Sequence, residues 1–168
     1  MTLKVILADL AHTHSVCDTS LTVPLGIGYV KAYAKHVLGN AIDISLFKHP
    51  ENFLQEVNNQ KPHIVGLSNY GWNENLNLSI GHYVRKILPN ALIIGGGPNI
   101  DASPIKKINF LKKHNYLNYL AIDGGEEVFT ELAEWYLSGT CDINKLPQNL
   151  AWLDNDGLHE TQERALKK

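Results

Sequence analysis

Apolar residues in this chain fall either into short solid runs or into segments where they recur every three or four positions. Leu3–Ala8 is apolar at every place but Lys4, the pattern of a strand buried on both faces of a sheet. Ile42–Phe47 alternates, and His63–Ser68, Ala91–Ile94 and Tyr119–Ile122 are again short and apolar. Each is expected as a strand. The segments between them have helical spacing. Leu25, Tyr29, Ala32, Tyr33 and Val37 predict a first helix with this side inward, opening at Pro24 with Thr22 as its cap and stopping at Gly39-Asn40. Pro50 opens a second, with Phe53, Leu54 and Val57 inward, and Lys61-Pro62 breaks it. Leu76, Ile80, Tyr83, Val84, Ile87 and Leu88 mark the third, closed by Pro89-Asn90. Ser103-Pro104 reads as the cap and first turn of a basic fourth helix reaching about Lys113. In the fifth, Val128, Phe129, Leu132, Trp135 and Tyr136 face inward up to Gly139.

Strands alternating with helices in this way predict an α/β domain, three layers deep, with a doubly wound, five-stranded parallel sheet. Right-handed crossovers restrict the strand order, read here as 2-1-3-4-5 with the switch point between strands one and three. After the fifth helix the pattern changes. Asn149–Leu153 and Leu158–Glu160 flank Asp154-Asn155-Asp156-Gly157, which predicts a small C-terminal β-hairpin. The expected division is an α/β unit over residues 1–145, then a hairpin and linker over 146–168.

Composition narrows the function classes. Of 168 residues 44% are hydrophobic and 19% charged, with a net charge of −2. That describes a globular chain and gives no electrostatic case for nucleic acid or an anionic membrane. No apolar run approaches the ~20 residues needed to span a bilayer, and the N-terminus reads as a first strand rather than a signal peptide. The expected compartment is the cytoplasm. Cys17 and Cys141 are far apart, which leaves a disulfide scaffold, a zinc knuckle and a cysteine-held cluster unsupported.

The topology gathers four loops at one sheet edge, namely 9–23, 68–73, 95–101 and 123–127, where ligands of open α/β sheets bind. None contains lysine or arginine. No phosphate-cradling G-x-x-x-x-G-K-[S/T] loop occurs, and Gly26-Ile27-Gly28 lies inside a helix without a third glycine, so it is no dinucleotide fingerprint. Gly95-Gly96-Gly97-Pro98 ends the fourth strand abruptly. Three glycines there make either a tight turn or a backbone that a ligand approaches closely. His12 and His14, with Asp9, Cys17 and Asp18, are metal-ligand side chains, but their spacing fits no zinc or iron motif. They are either hydrogen-bonding loop residues or ligands. Glu126 and Glu127 are either ordinary first-turn acids of the last helix or acceptors for a ligand.

Five blocks in order carry a resemblance: Pro24-Leu25-Gly26-Ile27-Gly28-Tyr29, Pro62–Ser68, Ile93–Pro98, Asp123-Gly124-Gly125-Glu126-Glu127, and Asn155-Asp156-Gly157. Together they resemble the N-terminal cobalamin-binding domain of cobalamin-dependent radical S-adenosylmethionine enzymes, over about residues 3–160. The resemblance implies a Rossmann-like (flavodoxin-like) domain that holds cobalamin at the strand C-termini and is not catalytic alone. Gly95, Gly96, Gly97 and Pro98, with Ser68, Asn69 and Tyr70, would line the nucleotide tail. Asp9, His12, His14, Pro24, Leu25, Gly26 and Gly28, with Gly124, Gly125, Glu126 and Glu127, would stand near the corrin. Mutase-type domains carry Asp-x-His-x-x-Gly after strand one. Here the run is Asp9-Leu10-Ala11-His12-Thr13-His14-Ser15, which leaves His12 and His14 as weak candidates for cobalt. The family's Cys-x-x-x-Cys-x-x-Cys motif is absent, so S-adenosylmethionine and a [4Fe-4S] cluster would belong to a radical SAM domain or subunit outside this chain. The alternative is a free-standing Rossmann-like domain for a nucleotide or sugar-nucleotide, or a protein-interaction module, without cobalamin.

Overall fold

The computed structural model describes residues 2–12, 23–101, 103–140 and 142–164. His14, Cys17, Asp18, the Thr22 cap and Cys141 lie outside them.

Among the described residues five parallel strands make up most of one sheet: β1 (Leu3–Ala8), β2 (Ile42–Phe47), β3 (Ile64–Ser68), β4 (Leu92–Gly96) and β5 (Tyr119–Ala121). Helices α1 (Leu25–Leu38), α2 (Pro50–Gln60), α3 (Glu74–Ile87), α4 (Pro104–Lys113) and α5 (Gly125–Ser138) connect and flank them. Strand order begins 2-1-3-4-5 as expected. The hairpin β6 (Leu150–Asp154) and β7 (Gly157–Glu160) is no appendage. Strand β6 pairs antiparallel with β5 through Leu120–Ala151 and Ala121–Leu150, so the sheet has seven strands among the described residues.

Alternation along each strand feeds two cores. From β1, Val5 and Leu7 point towards α1 and α5, where Ile94, Phe129 and Leu132 meet them. Ile6 and Ala8 point the other way, onto Phe53, Val57, Ile80 and Val84 of α2 and α3. Burying each such side chain contributes about 1.5–3 kcal/mol. A third cluster, with Leu111, Leu120 and Ala151, seats α4 on β5 and β6. There the ammonium of Lys107, 4% exposed, is neutralised by Glu160 of β7.

Helix α1 corrects the sequence reading. Its inward face is Ile27, Val30, Ala34 and Leu38, while Leu25, Tyr29, Tyr33 and Val37 are exposed. The helix carries two apolar stripes. Packing against α5 takes the smaller one, because Ala34 and Ile27 let the helices approach while tyrosines would hold them apart. Tyr83 of α3 likewise faces outward.

Candidate functional site

Small residues excavate the sheet at its carboxyl edge. Ser68 is the register partner of Gly96 across β3 and β4, and a Cβ built on Gly96 would stand 3.5 Å from the Cβ of Ala121 in β5. Gly66, one pleat deeper in β3, lies under Leu7 and Ile94. The trough is roofed by Gly26, Ile27 and Val30 of α1 and by Gly125, Glu126 and Phe129 of α5. The resulting cavity measures about 380 Å³, within the range of small-molecule sites.

The three glycines that end β4 and leave it have three separate reasons. Gly95 turns to the opposite face, where its Cβ would come 3.0 Å from Leu117 and 3.2 Å from Asn69 Nδ2. Gly96 opens the trough. Gly97 has φ +115°, and a Cβ on it would stand 2.7 Å from the Asn69 carbonyl oxygen. Only glycine fits such a place without backbone movement. The turn is then closed by Ile100 N–H donating to the Gly97 carbonyl.

Among the described residues no lysine or arginine lines the cavity; its polar groups include Ser68, Tyr70, Asp123 and Glu126. Two helices begin there without side-chain caps: α1 after Pro24, and α5 after Gly124, which has φ +61°. Leu25 N–H donates to the Val23 carbonyl at 2.8 Å; the other first-turn N–H groups have no intrahelical acceptors. The site therefore offers apolar walls, a few hydroxyl and carboxylate groups, and backbone donors at its rim. It suits a bulky, mostly apolar group carrying polar substituents.

Of the residues expected at the site, Gly26, Ser68, Tyr70, Gly95, Gly96, Gly97, Pro98, Gly124, Gly125 and Glu126 line this one cavity. Pro24, Leu25 and Gly28 do not line it; Leu25 is 60% exposed. Asn69 lies behind the wall, fully buried, with Nδ2 donating to the Leu67 carbonyl at 3.1 Å. Glu127 is ion-paired with Arg164, which also bonds Glu131 at 2.6 Å. Asp9 follows the last residue of β1 and His12 is exposed; neither lines the cavity. Burial pushes the Asp9 carboxyl above its ordinary value, against a smaller opposing pull from Lys48. Among the described residues no three His, Cys, Asp or Glu side chains group as metal ligands do.

Several lining residues escaped the sequence reading, among them Leu7, Val30, Gly66, Ala121 and Phe129. Gly66 carried a usable signal, since a glycine inside a buried strand marks a close approach. Asn149 carried none. It has φ +61°, accepts Ile122 N–H on its carbonyl, and bonds the Asp123 carbonyl at 3.4 Å and the Arg164 N–H at 2.7 Å. It ties the hairpin to the β5 corner of the cavity.

Comparison with known proteins bears on the family and the fold. The model of the B12 binding domain family matches residues 15–133. The chain is 30% identical over 132 residues to the cobalamin-dependent radical SAM methyltransferase TokK of Streptomyces tokunonensis, covering 74% of this chain and 18% of that protein. In structure it is similar to the cobalamin-dependent S-adenosylmethionine radical enzyme OxsB with aqua-cobalamin and S-adenosylmethionine bound. There the TM-score is 0.72 at 15% identity, over 98% of this chain and 23% of that one. A cobalamin-binding protein from Desulfitobacterium hafniense gives a TM-score of 0.57 at 11% identity, over 81% of this chain and 58% of that one. The chain thus spans less than a fifth of the length of the methyltransferase it matches.

Proposed function

The chain belongs to the B12-binding domain family, and from that premise we propose that it holds a corrinoid for chemistry completed with an iron–sulfur domain, in a longer polypeptide or on a separate partner. The observation that carries this reading is the trough at Ser68, Gly96 and Ala121, an apolar cradle that one Cβ on Gly96 would begin to fill. In this reading the nucleotide tail of the corrinoid lies in the trough. Gly95–Pro98, Ser68 and Tyr70 would line it, and Gly26, Gly124, Gly125 and Glu126 would border the ring above. The missing cations disfavour the phosphate-rich ligands of the nucleotide alternative.

A corrinoid supplies a cobalt centre that can carry a methyl group. The residues of this chain bind and orient it, and are not catalytic alone. Residues 1–145 would form the binding unit and 146–168 the hairpin and passage towards the radical SAM part, where S-adenosylmethionine and a [4Fe-4S] cluster would reside. No helix among the described residues is long and apolar enough to cross a membrane. The test is to mix the purified chain with hydroxocobalamin, desalt it and record the visible spectrum. Retained corrin absorbance supports the reading. A folded chain that emerges colourless refutes it.

A further inference from the structure

Asn73 stands where the exit of β3 turns into α3, and it is fully buried. Both ends of its amide are used. Nδ2 donates to the carbonyls of Leu10 and Ser68, each at 3.1 Å. Oδ1 accepts the Tyr70 N–H at 2.9 Å and Asn77 Nδ2 at 3.2 Å. Leu10 belongs to the segment leaving β1, and Ser68 is the last residue of β3. One side chain therefore bridges two adjacent strand exits at the point where the strand order reverses. Ser68 and Tyr70 line the cavity, whereas Asn73 does not.

We propose that Asn73 is a positioning residue of the site, one that sets the Ser68–Tyr70 wall by clamping it to the exit of β1. The clamp needs an amide. Two N–H bonds meet two carbonyls, while the amide oxygen receives two donors. Aspartate keeps the shape and turns the donor end into an acceptor facing those same carbonyls. Leucine keeps much of the volume and none of the bonds. Either change leaves buried polar groups unpaired, which costs more than the bonds themselves are worth. Two further amides brace the clamp: Asn77 Nδ2 shares its two N–H groups among Asn73 Oδ1, the Ser68 carbonyl and Asn69 Oδ1, the last two at 2.9 Å. Of the three amides, it is Asn73 that reaches across to the exit of β1.

The identity of the ligand rests on the corrinoid reading above, so the test carries one readout that needs no ligand. Asn73→Asp and Asn73→Leu are compared with Val57→Ala, which opens a void in the core on the far side of the sheet. All are studied where circular dichroism shows them folded; if the leucine variant does not fold, the aspartate variant is read alone. Both Asn73 variants should bind hydroxocobalamin about tenfold or more weakly. Their Tyr70 amide should exchange about tenfold or more faster relative to that of Val65 in β3, because its acceptor is lost or misplaced. Val57→Ala should change neither. Folded Asn73 variants with wild-type affinity and wild-type Tyr70 protection overturn the proposal, as does an equal loss of both in Val57→Ala. If the wild-type chain itself binds no hydroxocobalamin, the corrinoid reading falls. The Tyr70 exchange rates then decide by themselves whether Asn73 holds the wall.

Discussion

Ser68 and Gly96 face each other in parallel register at the ends of β3 and β4, one with a two-atom side chain and the other with none. That pairing, continued by Ala121, makes the floor of the cavity. Gly96→Val should therefore fill the trough and abolish hydroxocobalamin retention. The first added carbon meets Ala121 at an ordinary 3.5 Å, so the melting temperature should move little, by an amount equivalent to within about 1 kcal/mol. Thermal melting and a desalting assay on one sample check both halves.

Gly97 should behave in the opposite way. Its φ is +115°, and an added Cβ would lie 2.7 Å from the Asn69 backbone, which leaves no room for alanine. Gly97→Ala should cost about 1–3 kcal/mol, measurable by urea denaturation.

The two neighbouring acids of α5 should also part company. Glu126 lines the cavity, while Glu127 is held by Arg164. Glu126→Gln should weaken corrinoid binding, and Glu127→Gln should leave affinity within about twofold while costing at most about 1 kcal/mol, the usual worth of a partly exposed ion pair. Titrating both variants in parallel checks this.

His114 predicts a pH dependence of stability. Its ring is fully buried, stacked on Phe110 at 4.1 Å, with Nδ1 2.9 Å from the Tyr116 hydroxyl. Nε2 lies 3.6 Å from the Glu74 carboxylate, too far for a good hydrogen bond. Lys113, which bonds Glu74 at 2.6 Å, and His82 on α3 are the other charged or titratable groups beside it. Burial pushes the folded-state value below 6.5, outweighing the attraction of Glu74. The unfolded chain then binds the extra proton first as pH falls through about 6.5, so stability is fully present above that value and declines below it. One group contributes a slope of at most about 1.4 kcal/mol per pH unit. Urea denaturation at several pH values should show a shallower decline in His114→Gln than in the wild type.

The parallel sheet was legible because strands buried on both faces leave short solid apolar runs, and helices leave their period. What escaped was set by tertiary choice. The sequence of α1 holds two apolar stripes, and nothing local says that Ala34 rather than Tyr33 will meet α5. The hairpin turn was readable, yet its pairing with β5 depends on where α5 delivers the chain. At the site, Gly95–Gly97 announced a close approach without telling which face each served. Asn69 was expected against the ligand and lies behind the wall, because an amide reads alike whether it meets a ligand or a neighbouring amide. The roles of Asn73 and Asn149 lie in carbonyls far along the chain and have no local signature.

The central claim is that the trough holds the nucleotide tail of a corrinoid, and comparing two corrinoids tests it most directly. Hydroxocobalamin carries that tail and dicyanocobinamide lacks it. Titrated into the same protein, cobalamin should bind about tenfold or more tightly than cobinamide, with the difference erased in Gly96→Val. Equal affinities in the wild-type chain would contradict the account.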